Sequence, residues 1–113
     1  MKNKDKLASR LRQRIKFQSE STVTDSGGGS TLSWVDGLTV WAEIKPMSSR
    51  GGERLVAGQM ENRLMHLVTV RYINGITPKM RILYGSRIFN IRSVTDVEER
   101  GEILEIVAEE GVE

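Results

Sequence analysis

The sequence has no cysteine, one histidine and two prolines, and each shortage removes a class of function. Without cysteine there is no disulfide framework and no thiolate to act as nucleophile, and a reducing, cytoplasmic origin fits. One histidine without cysteine leaves a zinc site short of its usual donors. Aromatic residues make up 5% of the chain, so the core is expected to be aliphatic, built from Leu, Ile, Val and Met. No stretch approaches the roughly 20 apolar residues of a membrane span, which predicts no membrane partner. The charged start over residues 1–6 leads into no apolar segment, so no signal peptide is expected.

Catalytic and ligand-binding patterns are thin. His66 sits on an alternating segment and reads as a partly buried or rim residue. General acid–base work needs a positioned group tuned by its neighbours, and no acid lies beside His66 in sequence to orient its ring. The C-terminal carboxylates lack the alternating ligand spacing and central glycine of a calcium loop. Gly27-Gly28-Gly29 is followed by neither a Lys-Ser/Thr pair nor a helical pattern, so it is a poor phosphate cradle. The expectation is a protein that is not an enzyme and takes no cofactor and no metal.

What is present begins with charge. The 113 residues suit a single domain over 1–113, and the formal net charge is +2. That small number hides an asymmetry: residues 1–16 carry seven bases against Asp5, and residues 96–113 carry eight acids against Arg100. Two solvated termini are the plainer reading. The sharper one is that opposite ends of neighbouring copies attract in a head-to-tail array. Contact of the basic terminus with nucleic acid is a third reading, and it lacks interleaved aromatics for base stacking.

Hydrophobic periodicity predicts strands. Residues 1–10 form a basic arm or short helix, with Leu7 and Leu11 four apart. In 12–19, Ile15 and Phe17 face away from Arg14, Lys16 and Gln18, the period of a half-buried strand. Residues 19–37, rich in Ser, Thr and Gly, read as a flexible surface loop. In 38–45, Leu38, Val40, Ala42 and Ile44 face one way and Thr39, Trp41, Glu43 and Lys45 the other, and Pro46 should end the strand or sit at its edge. The 46–63 insertion holds a Ser/Gly turn and a helix candidate over 53–63, weakened by Gly58 at a cost of about 1 kcal/mol against alanine. Strand patterns then resume over 64–73, 80–84, 87–94 and 102–109, separated by Asn74-Gly75, Gly85-Ser86 and Arg100-Gly101. These segments predict an all-β fold with one short helix, a small six-stranded antiparallel β-barrel closed to remove its edges. Trp34 and Trp41 are candidate binding anchors, with core packing as the alternative for Trp41 and exposure in a polar loop for Trp34.

In this order and spacing the segments resemble the head–tail joining, or head-completion (stopper), proteins of tailed bacteriophages and prophages. LRQRIKFQ (11–18) looks like that family's first strand. The run W-x6-WAEIKPMS (34–48) resembles its tryptophan, Trp-Ala pair and strand-ending proline, and GERLVAGQ (52–59) its Glu-containing helical segment. VRYINGITPKMRILYGSRIFNIRSVTDVEERGEILEI (70–106) is similar to its most recognisable stretch. The Gly27–Gly29 loop departs from the pattern.

The resemblance implies a subunit of a homo-oligomeric connector ring, a dodecamer following the portal and adaptor, placed at the head–tail interface of the virion. Its partners would be itself, the portal or adaptor protein, a tail-completion or tail-terminator protein, and packaged DNA contacted without sequence specificity. Assembly would occur in the bacterial host cytoplasm. The resemblance assigns a channel or gating role to Pro46, Met47, Ser48, Arg50, Glu53, Arg54, Gln59 and Met60, against an ordinary surface helix covering the barrel. Candidate subunit or adaptor contacts are Arg10, Arg12, Arg14, Trp34, Trp41, Arg71, Arg81, Arg92, Glu98 and Glu99. A tail-terminator or tail-completion ring is an alternative, and an oligonucleotide-binding barrel is another.

Overall fold

The computed structural model describes residues 7–24, 26–47 and 65–111. Six strands carry the fold: β1 (Gln13–Thr24), β2 (Ser30–Pro46), β3 (Met65–Arg71), β4 (Arg81–Tyr84), β5 (Arg87–Asp96) and β6 (Ile103–Gly111). A short helical turn at 7–10 precedes them, closed by the Leu11 amide donating to the Leu7 carbonyl at 3.1 Å. The sheet is antiparallel in the order β1-β2-β3-β6-β5-β4, and β4 returns to β1 through 16–18, so the barrel is closed. The predicted fold class therefore holds. The helix candidate over 53–63 lies outside the described residues.

Alternation built the barrel wall as expected. Ile15 and Phe17 on β1, Val68 and Val70 on β3, Phe89 and Ile91 on β5, and Leu104, Ile106 and Ala108 on β6 all point into one cluster. Removing a side chain of that size from water contributes about 1.5–3 kcal/mol. The core is not wholly aliphatic: Phe17 and Phe89 are its largest fully buried side chains, and of the methionines Met80 packs against it only in part. Of the six aromatics in the chain, these two phenylalanines stand in the core beside nine aliphatic residues.

At Gly85-Ser86 the chain turns from β4 directly into β5, and Gly85 adopts φ +62°, which a side chain would strain. Asn74-Gly75 is also a turn, yet β3 and β4 are not neighbours. The connection instead crosses one end of the barrel, where Ile73, Ile76 and Met80 pack against the core. The Tyr72 amide donates to the Glu102 carbonyl at 3.0 Å, and the Ile91 amide to the Met80 carbonyl at 3.3 Å, fastening both ends of the crossing.

The 19–37 segment, expected as a flexible surface loop, is instead mostly strand. β1 runs to Thr24 and β2 starts at Ser30, in register from Ser19↔Val35 to Thr24↔Ser30. Thr22, Val23, Thr31 and Val35 are β-branched and suit a pleated ribbon. Neither face is buried, so the apolar alternation that marks a half-buried strand is absent. A bulge separates this ribbon from the barrel wall, between Lys16↔Thr39 and Gln18↔Asp36. Gly37 lies there, and a Cβ on it would stand 3.2 Å from the Phe17 carbonyl oxygen.

Candidate functional site

The candidate residues of the described chain lie on its surface and in two shallow depressions. No group of three or more His, Cys, Asp or Glu side chains converges on a point among the described residues, and no helix among them is long and apolar enough to cross a membrane. His66 is buried on β3, edge-on to Phe89 with ring centroids 4.9 Å apart, and its Nε2 is 3.9 Å from Glu110 Oε1.

Some of the charges in the two end segments pair within the chain. Because β5 and β6 are neighbours, Arg92 reaches Glu109 at 2.7 Å and Arg87 grips Glu110 through two bonds of 3.0 and 3.1 Å. The Arg87 guanidinium holds the Glu110 carboxyl below its ordinary range. Arg10 donates to Glu43 of β2 at 3.0 and 2.7 Å, which raises the guanidinium's pKa further. Arg10 and Arg92, both candidate subunit or adaptor contacts, make these intramolecular pairs and stay about half exposed. Arg92 is the extra residue of a bulge between Ile91↔Ala108 and Ser93↔Val107. The bulge turns Val94, rather than Ser93, toward the core.

A second polar group ties β4, β1 and β2 where the barrel closes. Arg81 Nε donates to Gln18 Oε1 at 2.8 Å, and Gln18 Nε2 donates to Asp36 Oδ1 at 2.7 Å. Lys16 Nζ donates to Asp36 Oδ2 at 3.2 Å. The bond from Gln18, then that from Lys16, keeps the Asp36 carboxyl below its ordinary range. The Arg81 guanidinium lies 4.1 Å from the Trp34 ring centroid, so Trp34 is a half-buried strand residue and not a loop residue. Such stacking contributes about 0.5–1 kcal/mol at an exposed site.

Trp41 is 50% exposed on β2, with Arg14 4.8 Å from its centroid. Beside it Arg71, the last residue of β3, is exposed, as is Arg12. Trp41, Ala8, Leu11 and Arg71 line one shallow depression. A second lies at the 3-10 turn Val97–Glu99, lined by Leu7, Arg10, Val97, Glu98, Arg100, Glu102 and Ile103. Glu98 and Glu99 both take positive φ, 56° and 53°, a conformation costing a non-glycine residue roughly 1 kcal/mol. Glu98 pairs with Arg100 at 3.2 Å, while Asp96 accepts the Gly101 amide at 2.9 Å and fixes the turn.

For the channel candidates, Pro46 is the final residue of β2, opposite His66, as its missing N–H requires. Met47 is exposed, and its amide donates to the Met65 carbonyl at 2.9 Å. The end of β2 and the start of β3 are therefore held together. Ser48, Arg50, Glu53, Arg54, Gln59 and Met60 lie outside the described residues.

Sequence reasoning passed over the exposed apolar side chains of the ribbon: Val23, Leu32 and Val35 are each at least half exposed, and Leu38, expected to share a face with Val40, Ala42 and Ile44, is 55% exposed beside the bulge. The signal was available in the β-branched residues of 19–37, but the serines and glycines between them outweighed it.

The described residues form a small closed barrel that carries a two-stranded ribbon and a set of paired surface charges. The phage head completion protein family model matches residues 7–111, and the chain belongs to that family of structural virion proteins. Head completion protein gp16 of Bacillus phage SPP1 is 32% identical over 74 residues, a match spanning 66% of either chain. The solution structure of protein SF1141 from Shigella flexneri 2a superposes with a TM-score of 0.71 at 29% identity, covering 92% of this chain and 96% of that one. A chain in the virion of a native gene transfer agent particle gives 0.65 at 28% identity, covering 92% and 98%.

Proposed function

We propose that the protein is a subunit of a connector ring at the head–tail interface, where it joins the portal or adaptor above to a tail-completion or tail-terminator protein below. The single observation carrying this reading is the family match across 7–111, which takes in nearly all of both barrel and ribbon. The gene transfer agent structure supports it, because that chain was seen within a virion. The chemistry agrees: small subunits with modest surfaces gain strength when a ring repeats each weak contact many times. The 46–63 insertion, clamped at its base by the Pro46–His66 pair and the Met47–Met65 bond, is the segment proposed to face the channel and packaged DNA.

Deleting the gene and imaging the particles tests the proposal. DNA-emptied, tailless heads beside free tails are the expected result. Full heads carrying defective tails would move the protein to the tail side, and normal particles would remove it from the joint.

A further inference from the structure

The ribbon of β1 and β2 leaves its outer edges open. β4 pairs with β1 only through 16–18, and β3 pairs with β2 only through 42–46. Open strand edges in monomers are commonly guarded by lysine or proline, and neither occurs from 17 to 44. That same stretch contains no base of any kind, and its charges are Glu20, Asp25, Asp36 and Glu43. Asp36 and Glu43 are already paired, to Lys16 and to Arg10. Glu20 has no ion-pair partner among the described residues. It sits opposite Trp34, and the next pair on that face is Thr22 with Leu32, so the free carboxylate and a 54% exposed leucine are neighbours.

The same chain carries the complement. The depression of about 360 Å³ lined by Ala8, Leu11, Trp41 and Arg71 has an apolar floor and a cationic rim. Arg71 is exposed and likewise has no ion-pair partner among the described residues. From Leu32 to Trp41 is nine residues along β2, which at about 3.3 Å per residue is some 30 Å of strand, too far for one subunit to dock its ribbon on its own depression.

The geometry points to a docking site for a second copy of this chain: Leu32 of one subunit enters the Ala8–Leu11–Trp41 depression of the next, and Glu20 pairs with that neighbour's Arg71. The two patches differ, so the contact is head-to-tail and closes only as a ring or continues as a filament. This inference rests on the ring reading given above and names the contact that would build it.

Because the natural chain has no cysteine, engineered ones report without background. The test uses the full-length chain assembled into particles, carrying Leu32→Cys, Arg71→Cys or both, and a short bismaleimide. The double variant is expected to give a ladder of multimers of this chain, and either single variant none. Dimers from Leu32→Cys alone, cross-links only to another virion protein, or no cross-links in particles that contain the chain would each overturn the docking while leaving the joining role standing. A charge exchange supplies the second readout. Glu20→Arg or Arg71→Glu alone should lower the yield of joined particles several-fold, and the two together in one chain should restore it. No rescue by the double exchange would count against the pair. Particles that join heads to tails normally without the protein would instead overturn the joining role itself.

Discussion

The barrel and the ribbon are made from the same two strands, yet they obey different physics. In the barrel half of β1, Ile15 and Phe17 are buried under neighbouring strands, and a substitution there is felt by the whole core. From Ser19 onward, the same strand pairs only with β2, and this ribbon has no buried face and several exposed apolar side chains. A two-stranded ribbon is marginal by itself, so its stability comes from the barrel at its base and from whatever covers it.

The largest effect that would sharpen this contrast is loss of a central ring. Phe89→Ala removes a fully buried side chain that also supports His66, and should cost about 3–5 kcal/mol in urea unfolding of the isolated chain. A cost under about 1 kcal/mol would mean that the core collapses into the space, and the barrel would be softer than its packing indicates.

Gly37 marks the boundary between the two regions and should respond at an intermediate level. A Cβ at 3.2 Å from the Phe17 carbonyl forces the bulge or the strand to shift by a few tenths of an ångström. Gly37→Ala should therefore destabilise by about 1 kcal/mol, near the lower end for overpacking. A neutral or stabilising result in the same unfolding assay would show that the bulge gives way freely, leaving the ribbon hinged instead of fixed.

Acid should weaken the barrel through its surface carboxylates. Asp36 and Glu110 have folded pKa values below their unfolded ones, the first from the Gln18 and Lys16 bonds and the second from Arg87. Their contribution is fully present above the ordinary carboxylate range near pH 4 and is lost as pH falls through the lower folded values. The raised pKa values of Arg10 and Arg87 act at the opposite extreme, leaving neutral pH untouched. A chain carrying Asp36→Asn and Glu110→Gln should show a shallower fall in thermal midpoint between about pH 5 and pH 3 than the natural chain. Parallel curves would mean that solvent screens these pairs completely.

How much of this was legible in the sequence follows from the same contrast. Strands with one buried face announced themselves: His66, Val68 and Val70, or Leu104, Ile106 and Ala108, alternate with partly exposed or polar neighbours. The ribbon did not, because residues 19–24 and 30–35 have no buried face to impose alternation, and serine and glycine then read as loop. Strand order was hidden as well, since Asn74-Gly75 has hairpin chemistry but sits in a connection across the barrel end. The charged candidates were visible as an asymmetry, whereas their partners depend on register. Arg92 meets Glu109 across the β5–β6 register at a bulge, and no local pattern states that register.

The smallest stability effect is the one that separates the two regions most cleanly. Leu32→Ser deletes a large apolar side chain, as Phe89→Ala does, but from a position 54% exposed with strand neighbours on one side only. Little apolar surface returns to water, no cavity opens, and serine is already common along this ribbon. The free energy of unfolding should move by less than about 0.5 kcal/mol, and the urea midpoint should stay within error. Solubility should rise, because the substitution removes exposed apolar surface beside an open strand edge. A loss above about 2 kcal/mol would place Leu32 in a packed environment within the single subunit. The ribbon would then be part of the core, and its exposed side chains would no longer argue for a neighbouring copy.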